Sequence, residues 1–220
     1  MNAREFRERL GRRARHANLT IDPDLMAGLE GYYQLLAKWN ARVNLTAFRL
    51  APGGEDEAID RLLLEPVAAA RHLPADALTL LDAGSGGGSP AIPLKLAAPK
   101  LMLRMVEVKT RKAVFLREAV RELRLKDTQV ETSRFEELLS RPDLHETTDI
   151  VSIRAVRIEP KVLMTLQAFL RPGGLIFLFR GPGGTDVAEV VAPPLRWKAT
   201  YPLLEALRSR LVVLEKVKIG

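Results

Sequence analysis

The feature that most constrains the fold is an alternation of apolar runs and amphipathic segments, which continues from residue 78 almost to the end of the chain. Strands that alternate with helices form βαβ units, in which the strands are parallel and the helices cover both faces of the sheet. This pattern predicts an α/β fold with a mainly parallel sheet. A ligand is then expected at the carboxyl ends of the strands, near the point where the strand order reverses.

The predicted elements divide the chain into a helical extension, residues 1–75, and an α/β domain, residues 76–220. Helices are expected at 2–17, 24–41 and 57–71, and the second has Asp22 as its cap and Pro23 in its first turn. In the second region, strands are expected at 77–84, 101–107, 128–132, 148–155, 175–179, 197–201 and 211–217. Helices are expected there at 90–98, 110–125, 134–139 and 159–170.

Composition excludes several classes of protein. The chain has no cysteine, which removes disulfides, thiolate zinc sites and cysteine nucleophiles, and its three histidines lack metal-ligand spacing. We therefore expect no metal. No apolar run is long enough to cross a membrane, and the basic N-terminus lacks the apolar centre of a secretory signal. We expect a monomeric cytoplasmic protein without a membrane partner.

The stretch "LDAGSGGGSPAIPL", residues 81–94, places a glycine turn directly after the first predicted strand. A phosphate-binding P-loop would end in Gly-Lys-Ser/Thr, whereas this turn ends in Gly88-Ser89-Pro90. A dinucleotide fingerprint would have glycine where Ser89 stands. Pro90 and Pro93 also lack the N–H groups with which a helix start binds an anion. A purely structural turn remains an alternative.

S-adenosylmethionine (SAM) is a ligand that needs close backbone approach without phosphate binding. Its cationic centre favours acidic residues, and Asp82 precedes the glycines Gly84, Gly86 and Gly88. Glu107 ends the next predicted strand, where a carboxylate can accept both ribose hydroxyls. Phe135 and Glu136 follow the third strand and can hold the adenine. The alternatives are that Asp82 caps the turn and that Glu107 is a solvated strand end.

Four stretches in order resemble the RsmG (GidB) family of bacterial 16S ribosomal RNA guanine-N7 methyltransferases. They are "LLAKWNARVNLTAFR", the run from "LLDAGSGGG" to "RELRL", "VSIRAV" and "RLVVLEK". The most distinctive is the Trp39-Asn40, Asn44-Leu45-Thr46 pattern, which generic SAM-binding domains lack. The resemblance extends from about residue 25 to the C-terminus.

The resemblance implies a Rossmann-like class I SAM-dependent methyltransferase with a seven-stranded sheet, acting on 16S rRNA of the small ribosomal subunit. It places Gly84, Ser89, Phe135, Glu136 and Arg154 in the cofactor site. The sequence departs from the family pattern at Ser89, which replaces a bulky apolar residue. Other departures are Ala91 for glycine, Ile153 for serine, Arg180 for lysine, and "LLLEP" (62–66) for HxLDS.

A basic surface is expected to contact the RNA. The net charge is +7, and residues 4–15 hold six arginines against two glutamates. We expect RNA contacts from Asn44, Arg111, Lys112, Arg154 and Arg180 and from the basic N-terminal helix. The alternatives are solvated surface charges for Arg111 and Lys112, a turn-stabilising role for Asn44, and a SAM carboxylate or an internal acid as the partner of Arg154.

Guanine N7 has a lone pair and no proton, so its methylation requires no general base, and we expect none among the residues. Three other functions remain open at this point. They are a SAM-dependent methyltransferase with another acceptor, a non-catalytic RNA-binding relative, and an NAD(P)-binding oxidoreductase.

Overall fold

The computed structural model describes residues 2–50, 55–154, 158–182 and 191–217. Its α-helices are α1 (Ala3–His16), α2 (Pro23–Val43), α3 (Glu55–Ile59), α4 (Glu65–Ala70), α5 (Ala91–Ala97), α6 (Thr110–Glu122) and α7 (Pro160–Phe169). Its strands are β1 (Thr79–Ala83), β2 (Met102–Val106), β3 (Thr128–Glu131), β4 (Thr148–Arg154), β5 (Leu170–Arg180), β6 (Leu195–Pro202) and β7 (Arg210–Lys216). A π-helical segment spans Asp60–Leu64, and short 3-10 turns span Phe135–Ser140, Pro142–Leu144 and Glu205–Leu207.

The strands form one sheet in the order β3-β2-β1-β4-β5-β7-β6. Strands β1 to β5 pair in parallel with one another, whereas β7 is antiparallel to both of its neighbours, β5 and β6. The predicted α/β fold with a mainly parallel sheet is therefore confirmed. The strand order reverses at β1, and the glycine turn follows this strand, so the turn lies where a ligand is expected.

The two faces of the sheet carry separate apolar clusters, because successive strand residues point to opposite faces. On β1, Leu80 belongs to the cluster that also contains Phe6, Tyr32 and Phe115. Leu81 belongs to the second cluster, which α7 covers. The N-terminal helices thus share a continuous core with one face of the sheet.

The ends of two helices show what the sequence specifies locally. Helix α2 begins one residue before its predicted start and has the predicted cap, with the Asp22 side chain accepting a hydrogen bond of 2.8 Å from Leu25 N and Pro23 in the first turn. Helix α6 ends three residues earlier than predicted. Arg124 adopts a φ of 51°, and Leu125 N donates back to Val120 O at 3.0 Å, which closes the helix.

The helix predicted at 57–71 is interrupted. Its central turn, Asp60–Leu64, is π-helical and joins α3 to α4. Apolar spacing does not distinguish a π turn from an α turn over so short a run, and such turns are frequent at functional sites. Here the segment lies beside the glycine turn.

The basic N-terminal helix is not the free cationic surface that the sequence suggested. Arg9 lies 3.2 Å from the Glu55 carboxylate, and Arg13 lies 2.8 Å from Asp56. Arg13 Nε also donates to Asp60 Oδ1 at 2.6 Å, a hydrogen bond that raises the pKa of Arg13. These ion pairs connect α1 to α3 and to the π-helical segment that follows it. They could not be recognised from the sequence because the paired residues lie more than 40 positions apart.

We expect Arg13→Gln to lower the free energy of unfolding by about 3 kcal/mol, because it leaves the buried Asp60 carboxylate without its cation. Urea denaturation measures the effect. Arg12→Gln is the matched control, since Arg12 is exposed on the same helix, and it should change stability by less than about 0.5 kcal/mol. Equal losses in the two variants would contradict this role of the Arg13 ion pairs.

Candidate active site

The glycine turn is built on hydrogen bonds to the neighbouring strand. Gly84 N and Ser85 N both donate to Val106 O at 2.9 Å, and Gly88 N donates to Ser85 O at 2.7 Å. Gly84, Gly86 and Gly88 have φ values of 76°, 55° and 90°. L-residues rarely adopt these angles, which explains the glycines. The turn exposes Gly84 and partly exposes Gly86, whereas Gly88 is buried.

Residues of the N-terminal helices contact the glycine turn. The hydroxyl of Tyr32 on α2 is buried and donates to Gly87 O at 2.7 Å, and burial raises its pKa. Ser89 Oγ donates to Leu62 O in the π-helical segment at 2.9 Å. A Cβ at Gly87 would lie 3.2 Å from Leu45 O. The helical extension therefore fixes the shape of the predicted cofactor turn.

The Trp39-Asn40, Asn44-Leu45-Thr46 pattern lies at the end of α2, next to the glycine turn. Asn40 Oδ1 accepts hydrogen bonds from Leu45 N at 2.7 Å and from Thr46 N at 2.9 Å. Asn44 ends α2 with a φ of 52°, a conformation that asparagine tolerates. Trp39 packs edge-on against Phe115 of α6, with ring centroids 5.9 Å apart. The pattern thus orders the segment that packs against Gly87.

Glu107 lies at the carboxyl end of β2 and is 6% exposed. Its Oε2 accepts a hydrogen bond of 2.8 Å from Gly86 N, and its Oε1 accepts one of 2.8 Å from Lys109 N. The carboxylate is therefore anchored to the glycine turn rather than solvated. Each oxygen keeps a second acceptor site, which is the arrangement needed to receive two vicinal hydroxyls.

Asp82 lies at the carboxyl end of β1 and is 1% exposed. Its Oδ1 accepts a hydrogen bond of 2.6 Å from Ser152 Oγ on β4, whereas its Oδ2 is buried without a hydrogen-bond partner among the described residues. Burial raises the pKa of Asp82, and the hydrogen bond from Ser152 opposes that shift. An unpaired buried acceptor beside the glycine turn is suited to a cationic ligand.

Arg154 lies at the carboxyl end of β4, and its partner is an internal acid, one of the alternatives that the sequence left open. Its Nη1 donates to Arg61 O at 2.5 Å and contacts Ser89 Oγ at 3.3 Å. Its Nη2 lies 2.7 Å from Glu65 Oε2, and its guanidinium lies 4.7 Å from the Phe179 ring centroid. Burial lowers the pKa of Arg154, and the charge of Glu65 opposes this.

The other predicted residues lie at or after the carboxyl ends of β2, β3 and β5, except Asn44, which ends α2. Phe135 opens the 3-10 turn after β3 and is partly buried, whereas Glu136 is exposed. Arg111 and Lys112 begin α6, directly after Glu107, with Arg111 exposed and Lys112 partly exposed. Arg180 ends β5 opposite Arg210 of β7, and Asn44 is exposed at the end of α2.

Arg61, Glu65, Tyr32 and Ser152 also belong to this site but were not identified from the sequence. Glu65 could have been recognised from the sequence, because it lies in the apolar run "LLLEP". An acid that is buried in such a run is expected to be paired with a cation. Ser152 and Tyr32 gave none, because their partners are distant in sequence.

A cleft of about 540 Å³ lies elsewhere, lined by residues that include Thr79, Met102 and Thr128. These are the first residues of β1, β2 and β3, so the cleft lies at the amino edge of the sheet. Ligands of such sheets bind at the carboxyl edge, and none of the candidate site residues described above lines the cleft. Within the described ranges no helix is long and apolar enough to span a membrane, and no three His, Cys, Asp or Glu side chains lie close enough together to hold a metal ion.

The strand order β3-β2-β1-β4-β5-β7-β6, with β7 antiparallel to both of its neighbours, is that of class I SAM-dependent methyltransferases. A SAM-dependent methyltransferase from Aquifex aeolicus has this fold, with a TM-score of 0.54 and 18% identity over 70% of this chain and 91% of that one. The sequence profile of the GidB family, rRNA small subunit methyltransferase G, matches residues 26–215.

Individual relatives agree with the profile. Ribosomal RNA small subunit methyltransferase G of Carboxydothermus hydrogenoformans is 37% identical over 75% of this chain and 68% of that protein. The protein of the same name from Xanthomonas campestris pv. campestris is 33% identical over 88% of this chain and 89% of that protein. The chain belongs to the rRNA small subunit methyltransferase G family, so the alternative of an NAD(P)-binding oxidoreductase is wrong.

Proposed function

We propose that this enzyme transfers a methyl group from SAM to N7 of a guanine in 16S ribosomal RNA of the small subunit. The observation that carries the proposal is Glu107, whose buried carboxylate is hydrogen-bonded to the glycine turn at Gly86 N. Family membership supplies the acceptor, since the relatives are named for small-subunit rRNA. The enzyme is proposed to act in the cytoplasm and as a monomer.

The residues at the carboxyl edge fit SAM in their donor and acceptor character. Glu107 would accept the ribose hydroxyls, and Phe135 and Glu136 would hold the adenine side. Gly84 and Gly86 allow close approach of the ligand, and Gly88 and Ser89 maintain the turn. When bound, SAM supplies an electrophilic methyl group on its sulfonium.

Asp82 and Arg154 would bind the amino-acid end of the cofactor. The unpaired Oδ2 of Asp82 is an acceptor for the α-ammonium group. Arg154 Nε is a buried donor without a hydrogen-bond partner among the described residues, and it can receive the α-carboxylate. Both buried groups would thereby gain the partners that they lack in the protein alone.

Methylation of guanine N7 does not require an acid or base catalyst. N7 of guanine offers a lone pair and has no proton to be removed, so the residues need only orient the base and exclude water. Orientation alone can supply several kcal/mol of the barrier reduction, about 7 to 11 kcal/mol in well-aligned systems. The scarcity of histidine is therefore consistent with this reaction.

The RNA is proposed to contact the carboxyl edge through Arg111, Lys112, Arg180 and Asn44. Arginine suits the N7 and O6 acceptors of guanine, and lysine suits phosphate. On α1, Arg12 and Arg15 are exposed and have no ion pair within the described residues, so they remain available for the RNA contact first expected of this helix.

We expect Lys112→Gln to weaken binding of 16S rRNA and to reduce the slope of log affinity against log salt by about one, as loss of one phosphate contact predicts. Filter binding over a series of KCl concentrations measures both quantities. Lys126→Gln is the control, because Lys126 is exposed before β3 at the opposite edge of the sheet. The same loss in both variants would contradict an RNA surface at the carboxyl edge.

The function is tested by incubating the enzyme with methyl-labelled SAM and 16S rRNA from cells that lack the modification, followed by digestion to nucleosides. We expect the label in 7-methylguanosine. Label in another nucleoside would overturn the proposed N7 position. Absence of label from the RNA would overturn the proposed acceptor.

A further inference from the structure

Glu65 is buried near the glycine turn, at 1% exposure like Asp82, and it lies between two arginines. Its Oε1 accepts a hydrogen bond of 3.0 Å from Arg61 Nη1, and its Oε2 lies 2.7 Å from Arg154 Nη2. One buried carboxylate is thus paired with two guanidinium groups. Arg154 is also influenced by the charge of the nearby Asp82 carboxylate.

The π-helical segment brings these groups to the turn. Arg61 and Glu65 are four residues apart and face each other, and the carbonyl groups of Arg61 and Leu62 accept hydrogen bonds from Arg154 and Ser89. The segment therefore contacts the end of β4 and the glycine turn at the same time. Widened turns of this kind are frequent at functional sites.

Arg61 is enclosed as well. A Cβ added at Gly181, directly after β5, would lie 3.4 Å from Arg61 Nη2. The three charged side chains therefore lie between the glycine turn and the carboxyl ends of β4 and β5. In this arrangement Arg154 Nε still has no hydrogen-bond partner among the described residues.

The start of α5 has few free backbone N–H groups with which to bind an anion, so a side chain must supply the donor. Pro90 and Pro93 have no N–H group, and Ile92 N already donates to Gly88 O at 2.7 Å. A carboxylate bound beside the turn would therefore depend on Arg154, and the orientation of Arg154 depends on Glu65.

We infer that Glu65 is a positioning residue, which holds Arg154 so that its free donor faces the α-carboxylate of SAM. The inference rests on the proposed function only in taking SAM as the ligand. The acceptor of the methyl group has no part in it.

The test compares the affinities for SAM and for decarboxylated SAM, which lacks only the α-carboxylate, by isothermal titration calorimetry. We expect Glu65→Gln to weaken binding of SAM about tenfold, the loss of one charge-assisted hydrogen bond, and to leave binding of decarboxylated SAM unchanged. Glu65→Asp keeps the charge and should recover most of the affinity for SAM. In an Arg154→Lys background, Glu65→Gln should have no further effect.

Asp60→Asn is the matched control. Asp60 is also buried in this helical region and paired with an arginine, but its partner is Arg13 on α1. We expect it to lower the thermal midpoint without changing the ratio of the two affinities. If Glu65→Gln leaves that ratio at the wild-type value, or if Asp60→Asn changes it equally, the inference is overturned.

Failure of the inference and failure of the proposed function can be told apart. Wild-type enzyme that binds neither ligand would overturn the cofactor assignment itself. Wild-type enzyme that binds SAM and decarboxylated SAM equally would overturn the role of Glu65 and leave the methyltransferase assignment standing. If Glu65→Gln does not fold, the ratio of the two affinities is measured in Arg154→Lys, and a wild-type ratio in that variant would overturn the inference.

Discussion

Glu107→Gln is expected to weaken binding of SAM about 100-fold, equivalent to about 2.7 kcal/mol. In the wild-type protein both carboxylate oxygens accept backbone N–H groups, from Gly86 and from Lys109. Glutamine has one acceptor oxygen, so its amide group would face one of these donors. The variant therefore loses an anchor of the glycine turn together with an acceptor for the ribose hydroxyls.

Calorimetric titration with S-adenosylhomocysteine measures this effect without turnover. Glu131→Gln is a suitable control, because Glu131 ends the adjacent strand β3 but pairs with Arg104 and Arg141 instead of the turn. It should leave the affinity within about twofold of wild type, as expected for a partly exposed ion pair. Equal losses in the two variants would show that Glu107 has no special part in binding the cofactor.

The second large effect is expected for Gly88→Ala, which should lower the free energy of unfolding by about 3 kcal/mol. The φ of 90° accounts for about 1 to 2 kcal/mol of this loss, because alanine rarely adopts such an angle. The remainder comes from overlap, since a Cβ at this position would lie 2.6 Å from Ile92 Cδ1 and 3.2 Å from Leu116 Cδ2.

Gly173→Ala separates these two causes. Gly173 has a similar φ of 84°, but a Cβ there would have nothing within 4 Å. We expect the control to lose only the conformational part, about 1 to 2 kcal/mol, when both variants are unfolded in urea. Equal losses would mean that the glycine turn accommodates a methyl group at Gly88. A reduced affinity for the cofactor is expected in Gly88→Ala alone, because displacement of the turn also moves Ser89.

The sequence predicted the elements that depend on local signals. Helix α2 follows from the Asp22 cap and Pro23, and each strand from β1 to β4 begins and ends within two residues of its predicted bounds. Glu107 could be predicted as a site residue because the end of β2 adjoins the end of β1 in any parallel sheet of this kind.

What the sequence did not reveal depends on contacts between distant residues. Arg9 and Arg13 of α1 were included in the expected RNA-binding surface because their acidic partners lie beyond residue 54. Strand β5 begins five residues before its predicted start, because Leu170 pairs with Thr148 of β4 across a bulge. The pairing of Glu65 with Arg154 joins two residues that are 89 positions apart in the printed sequence.

A crystal structure of the enzyme with bound S-adenosylhomocysteine tests the central claim most directly. We predict that both ribose hydroxyls lie within hydrogen-bonding distance of Glu107, with the amino-acid end between Asp82 and Arg154. A nucleoside bound at the opposite edge of the sheet, in the cleft lined by Thr79 and Met102, would contradict the account. So would a ligand at the glycine turn that makes no contact with Glu107.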